Sequence, residues 1–448
     1  MMKKLTFKRG GVHPPQMKLT SGSPITDIEL PRRVVIGLSE SIGKPAAETV
    51  TVGQHVDRGQ LIGKAQGSIS ANLHTPISGT VKAIGDQRDI YGHWQRSVTI
   101  EASDDDHMAD IMAISDARPI VNEAQALAME PSSIKTAIEQ AGIVGLGGAT
   151  FPTAVKLNVK DGVNPIVIIN GAECEPYLTC DEMTMREMGH EVIVGALLLA
   201  KAAGASRIII GIEDNKPEAI KKINEASREF AAVEVAVLKA KYPQGGEKML
   251  IEALTGRRVA PGALPISEGV VVQNVATALA VYHAVVWGLP LIERVMTISG
   301  SAMAKRGNYR VPLGTELGWL IDRLGGSPDQ AVELVAGGTM MGRSLASVKG
   351  STTKGLGGLL FLSREEVKLS EPTTCVKCGR CIEVCPMGLR PNVLARLSEL
   401  DMIEEAAGEG IMNCLECGSC SYACIASRRL VDWIKVGKTK ARNLKNKR

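Results

Sequence analysis

Residues 142–157 read GIVGLGGATFPTAVKL. Four glycines in the first seven positions free the backbone for close approach to an anion or a flat ring. Two common phosphate loops do not fit. A dinucleotide fingerprint G-x-G-x-x-G/A begun at Gly145 needs a small residue where Thr150 stands. A P-loop begun at Gly142 reaches Gly147 but continues with Gly148 and Ala149 instead of Lys and Ser/Thr. Taken alone, the glycines fit a ligand-free turn as well as a phosphate cradle. The flanking sequence has to decide.

Downstream, NPIVIIN (164–170) is an apolar run that ends in a polar loop, and a helical stretch follows to about Ala203. SRIIIGIED (206–214) reads as a strand, KPEAIKKINEASREF (216–230) as an amphipathic helix and VEVAVLKA (233–240) as a third strand. The alternation predicts a parallel sheet covered by helices, with ligands at the carboxyl ends of its strands. That puts the loop NGAECEPYLTCD (170–181) in a binding position. The segment VVVQNVATALAVYHAVVWGLPLI (270–292) is long enough to cross a bilayer. Gln273, Asn274, Thr277, His283 and Pro290 interrupt it, so it reads as a buried strand, turn and helix. No transmembrane segment is expected.

The 448 residues exceed one core and imply about three domains. With 44% apolar and 22% charged residues the composition is that of a globular protein, and 3% aromatics argue against base stacking on nucleic acid. Net charge is +4, concentrated in IKVGKTKARNLKNKR (434–448), a solvated end or a contact for an anionic surface. MMKKLTFKRG has no apolar run after its lysines, so no export signal is expected. Residues 30–100 read as short strands joined by glycine turns and resemble a lipoyl-type β-sandwich. The slot where that family carries its modified lysine falls on Ser68, which implies a structural or docking module. SDDDHMAD (103–110) reads as a surface connector, 295–350 as a small α+β unit, and the histidines as surface or capping residues.

The strongest chemical signal lies near the carboxyl end. CVKCGRCIEVCP and CLECGSCSYAC both have the spacing C-x2-C-x2-C-x3-C. Three thiolates from one tight loop reach three corners of a cubane, and the fourth points at the other cluster. Cluster one is assigned to Cys375, Cys378, Cys381 and Cys424, and cluster two to Cys414, Cys417, Cys420 and Cys385. Zinc does not call for eight thiolates in this cadence. Cys174 and Cys180 are expected to be small buried or site-lining thiols.

Cubanes pass single electrons. A two-electron donor such as NADH needs a flavin between it and them. In that light the glycine loop suits flavin mononucleotide: Gly145, Gly147 and Gly148 supply amides, Lys156 charge and Phe151 a flat face, while Glu173 and Glu175 offer acceptors.

The same residues carry a resemblance. GIVGLGGATFPTAVKL is similar to a segment of the FMN- and NADH-binding subunit of respiratory complex I and of hydrogenase diaphorases. Gly142, Gly145, Gly147, Gly148, Ala149, Phe151, Pro152, Thr153 and Lys156 match. Further matches are Asn170, Glu173, Glu175, Pro176 and Asp181; Tyr242, Gly245, Glu247 and Leu250; and Asn274, Val275 and Thr277. Val144 and Leu146 replace two arginines of that pattern, Ala172 an Asp and Gly246 a Glu. With FKRGGVHPP at the start and SGSAMAKRGNYRVPLG like an SLBB segment, the whole order resembles the RnfC family of the Rnf electron transport complex. The resemblance implies a multidomain α/β chain: a barrel-sandwich-like β domain (1–115), a Rossmann-like FMN/NADH domain (116–292), an SLBB β-grasp domain (293–350), an α-helical ferredoxin-like domain with two [4Fe–4S] clusters (364–434) and a basic tail (435–448).

It also implies catalytic roles for Phe151, Glu247 and Glu175. Gly145, Gly147, Gly148, Phe151, Lys156, Asn170, Glu173, Glu175, Gly245, Glu247 and Asn274 would bind FMN and NAD(H). The implied setting is the cytoplasmic face of a bacterial membrane, among other subunits of an ion-translocating complex and in indirect exchange with ferredoxin or flavodoxin. A soluble diaphorase, or an iron–sulfur wire without flavin, are the alternatives.

Overall fold

The computed structural model describes residues 4–160, 162–326, 331–367 and 370–447. At its centre is a four-stranded parallel sheet in the order Val233–Leu238, Arg207–Glu213, Ile166–Gly171, Val270–Asn274. The middle strands carry unbroken apolar runs, Ile166–Ile169 and Ile208–Ile210, because both faces are covered. Ile208, Ile210 and Ile212 enter one core with helices Gly189–Ala203 and Val275–Val286, while Ile209 enters the other with helix Glu247–Thr255. The helical stretch before Ala203 is two helices, Cys180–Glu187 and Gly189–Ala203, which part at Met188. Residues 270–292 form the expected strand and helix, and no helix among the described residues is long and apolar enough to cross a membrane.

The amino-terminal β domain packs a four-stranded sheet (Arg33–Gly37, Trp94–Glu101, Gly79–Arg88, His55–Val56) against a three-stranded one (Ala47–Glu48, Leu61–Lys64, Leu73–His74). The connector at 103–110 is not a loop. It is helix Asp104–Ser115, started by a Ser103–Asp106 capping box, with Asp110 buried and accepting from both the amide and the hydroxyl of Ser78. Its three leading aspartates favour the helix amino terminus. Two histidines also differ from expectation: His74 and His107 are buried, and burial pushes His74 down to about 4, whereas His13, His55, His93 and His190 are exposed.

A six-stranded sheet follows, built on Glu293–Ser299, Gly307–Pro312 and Gly358–Leu362. Its edge recruits Ile25–Asp27 in parallel register with Asn308–Arg310, and Gly358–Leu362 lies beyond residue 350, so this sheet outruns the expected 293–350. The carboxyl-terminal unit is helical. Its last helix, Leu430–Lys447, runs through most of the basic stretch and buries Ile434 and Ala441 in the core that contains Leu394, so this helix packs on the cluster unit; Arg448 lies outside the described residues.

Two features bind these units. The amino-terminal segment runs alongside the central sheet and on to the cluster unit: Leu5 bridges Leu238, Val12 bridges Tyr242, and the Gly11 amide donates to Val384 O at 2.9 Å. Buried Lys354 donates from Nζ to Asn72 O and Gly142 O, both at 2.7 Å, while its amide donates to Glu40 Oε2 at 2.8 Å. One side chain thereby ties three units together at the root of the glycine loop.

Candidate nucleotide site and cluster centres

The glycine loop closes on itself. The Gly145 amide donates to Phe151 O at 2.9 Å and the Thr150 amide to Gly145 O at 3.1 Å, with Thr150 at φ 49°. Gly148 has φ +103° and nothing within 4 Å of where a Cβ would lie, so open space adjoins it. Gly147 backs onto Asn274, the cap of helix Val275–Val286, and the Leu146 amide donates to Thr277 Oγ1 at 2.9 Å. The loop is also held from behind. Arg294, buried on the six-stranded sheet, donates to Leu146 O at 3.2 Å and Lys354 O at 2.5 Å.

The other predicted residues converge from the sheet's carboxyl ends. Lys156 Nζ donates to Glu247 Oε1 at 3.0 Å and to Val272 O at 3.3 Å. Asn274 Nδ2 donates to Asp181 Oδ2 at 2.7 Å, and burial, then neighbouring Glu173, pushes the Asp181 carboxyl up. Asn170 Nδ2 donates to Gly245 O at 2.9 Å. Gly147, Gly148, Lys156, Asn170, Gly245, Glu247 and Asn274 thus ring one end of the sheet, with half-buried Phe151 at its margin.

Glu173 and Glu175 face inward to the scaffold. Glu173 Oε1 accepts from the Asp181 amide at 2.7 Å and Oε2 from the Glu182 amide at 3.3 Å, capping helix Cys180–Glu187. Glu175 accepts from the Met340 and Met341 amides, both at 2.9 Å, and its Oε1 lies 3.3 Å from the Tyr242 hydroxyl; burial raises its carboxyl. Lys18 pins the whole loop, donating to Glu173 O at 2.8 Å, Glu175 O at 3.0 Å and Leu178 O at 2.5 Å. Sequence reasoning missed Lys18, Arg294 and Lys354. Each acts on carbonyls far away in the chain and carries no local motif. Half-buried Cys174 and buried Cys180 both touch backbone: Cys174 Sγ accepts from the Gly245 amide and Cys180 Sγ donates to Gly357 O, both at 3.3 Å.

Both cysteine runs fold alike. Each places a non-glycine residue at positive φ (Lys377 at 55°, Glu416 at 58°), then a left-handed glycine (Gly379 at 82°, Gly418 at 77°), then a short helix, Arg380–Glu383 or Ser419–Tyr422. The turn points three thiols inward. Cys385 leaves its own run and joins Cys414, Cys417 and Cys420 around one small cavity, walled by Leu389, Leu394, Val431 and Ile434. That is the crosswise pairing expected for cluster two. The Leu389 amide donates to Cys385 Sγ and the Glu416 amide to Cys414 Sγ, each at 3.3 Å. Around cluster one, burial and then the neighbouring Cys424 and Cys375 raise the Cys381 thiol, while Cys375 and Cys378 are exposed. Taking the fourth thiol of the buried centre from the other run is the crosswise ligation of two-cluster ferredoxins.

A parallel-sheet nucleotide domain carrying a glycine loop, packed against a unit with two four-thiol centres, defines the class of electron-transfer flavoprotein subunits. Residues 5–105 match the family described as the RnfC barrel sandwich hybrid domain and 138–283 the Nuo51 FMN-binding domain; 295–344 match the SLBB domain and 368–425 the 4Fe-4S dicluster domain. The C subunit of the proton-translocating ferredoxin:NAD(+) oxidoreductase complex of Clostridium ljungdahlii is 40% identical over 97% of this chain and 94% of its own length. The C subunit of the Na(+)-translocating complex of Acetobacterium woodii is 39% identical over 97% of this chain and 96% of its own, and that of an ion-translocating oxidoreductase complex of Rhodobacter capsulatus 38% over 90% and 77%. A chain of the NAD+-reducing [NiFe]-hydrogenase in its H2-reduced state shares the fold with a TM-score of 0.51 at 21% identity, over 74% of this chain and 64% of that one. The chain belongs to the family of C subunits of Rnf-type ion-translocating ferredoxin:NAD+ oxidoreductase complexes.

Proposed function

We propose that this chain is the electron-input subunit of such a complex. It moves electrons between NADH and ferredoxin through FMN and two [4Fe–4S] clusters, while the assembly couples the flow to Na+ or H+ transport. The protein would sit peripherally on the cytoplasmic face of the membrane, held by the other subunits. The observation that carries the proposal is the meeting of Cys385 with Cys414, Cys417 and Cys420 around one cavity, with the Cys417 carbonyl accepting from Tyr242 of the nucleotide domain at 2.8 Å.

The chain's own residues divide the work. The amides near Gly147 and Gly148, with Lys156, would hold the anionic phosphate of FMN in the open space beside the loop. Glu247 holds Lys156 in place, and Asn274 and Asn170 present amide groups at the same end of the sheet. Phe151 offers an apolar face to a ring. Glu173 and Glu175 act one layer back, fixing the loop from which Asn170 reaches Gly245. A flavin seated here supplies the conversion between electron pairs and single electrons. Cys385, Cys414, Cys417 and Cys420 would hold cluster two against the nucleotide domain and Cys375, Cys378, Cys381 and Cys424 the more exposed cluster one, so the first set would serve transfer from the nucleotide site and the second transfer to a partner.

Anaerobically purified protein is expected to release FMN on denaturation, to contain iron and labile sulfide for two cubanes, and to bleach in the flavin band on addition of NADH. Clusters without flavin would favour the wire.

A further inference from the structure

Tyr242 stands where the nucleotide domain meets the buried four-thiol centre. Its ring packs in a small core with Val12, Cys174, Met340, Leu415 and Cys417. Its main chain is clamped to Val12 in both directions, at 2.9 and 2.8 Å. Its hydroxyl lies 2.8 Å from the carbonyl oxygen of Cys417 and 3.3 Å from Glu175 Oε1. A phenol has one hydrogen to donate, and the shorter distance assigns it to Cys417. Glu175 is itself fixed by the two amides of Met340 and Met341, and Met340 O abuts Gly418. Three residues further on, Gly245 accepts from Asn170 in the nucleotide site. A short continuous path therefore runs from that site to a ligand of cluster two.

We propose that Tyr242 is a positioning residue for cluster two: its hydroxyl, donated to the carbonyl of ligand Cys417, seats the 414–420 loop and raises the cluster's reduction potential. A reduced cubane carries one more negative charge than an oxidised one. A donor dipole on its ligand loop, in a buried setting, stabilises the reduced form. Cys378, the matching ligand of cluster one, is exposed, so water screens any comparable donor there. The proposal rests on the iron–sulfur assignment made above.

The test is an anaerobic redox titration of the holoprotein followed by electron paramagnetic resonance, with the two signals assigned by their loss in Cys420→Ala and Cys378→Ala. Tyr242→Phe is expected to keep its iron and flavin and to lower the reduced-to-oxidised ratio of cluster two, at a fixed ambient potential, by about 2- to 10-fold. Cluster one stays put. Should Tyr242→Phe lose the cluster, 3,5-difluorotyrosine placed at 242 keeps ring and hydroxyl but donates more strongly, and is expected to shift cluster two the opposite way. Wild-type titration of both variants, or of the fluorinated one alone, overturns the proposal. Absence of any iron–sulfur signal in the unaltered protein overturns instead the assignment on which it rests.

Discussion

The two cysteine runs share a spacing, a left-handed turn and a short helix, yet they sit in opposite surroundings. In the run from Cys414, Cys417 and Cys420 are buried and Leu415 packs beside Tyr242. In the run from Cys375, both Cys375 and Cys378 are exposed, and the equivalent of Leu415 is Val376, 63% exposed. Local sequence thus sets the shape of each centre, and the neighbouring domains set its role. A buried centre against the nucleotide domain is placed to exchange electrons inside the chain. An exposed one is placed to exchange them with another protein.

This contrast can be broken by experiment. The largest effect is expected from chelation of the oxidised protein. Iron of cluster one should leave at least about 10-fold faster than iron of cluster two, because its ligands need no opening of the fold; equal rates, read from the decay of the two signals, would erase the distinction. Next comes packing. Leu415→Ala should cost about 1–3 kcal/mol by opening a gap between Tyr242 and Cys417, whereas Val376→Ala should stay within about 0.5 kcal/mol; thermal unfolding of the cluster-loaded chain measures both. The smallest effect concerns the turns. Lys377→Gly relieves a positive φ and should stabilise by up to about 1 kcal/mol. Glu416→Gly should gain less, because it removes the 2.8 Å bond from Lys438 Nζ, which also anchors Cys414 O. Equal gains would mean that the surroundings do not matter.

Much of this was legible in the sequence. The isoleucine runs at 166–171 and 207–213 gave away a sheet covered on both faces, and the cysteine cadence indicated crosswise ligation before any cavity was seen. Other features were hidden because they depend on contacts between distant residues. Tyr242 and Cys417 are 175 positions apart, and Lys18 and Glu175 are 157 apart. Glu173 and Glu175 looked like ligand acceptors by residue type, but the fold turns their carboxylates onto backbone amides. The acidic stretch after Ser103 looked like a solvated link because its charges stood out, while the capping box that starts its helix is a short pattern easily passed over.

The central claim is an order of transfer: nucleotide site, then cluster two, then cluster one. The direct measurement is rapid-freeze paramagnetic resonance of Cys420→Ala after mixing with NADH, with Cys378→Ala as its counterpart. Cluster one in Cys420→Ala should stay oxidised while the flavin bleaches, and cluster two in Cys378→Ala should still be reduced. Reduction of cluster one at the unaltered rate in Cys420→Ala would contradict the account.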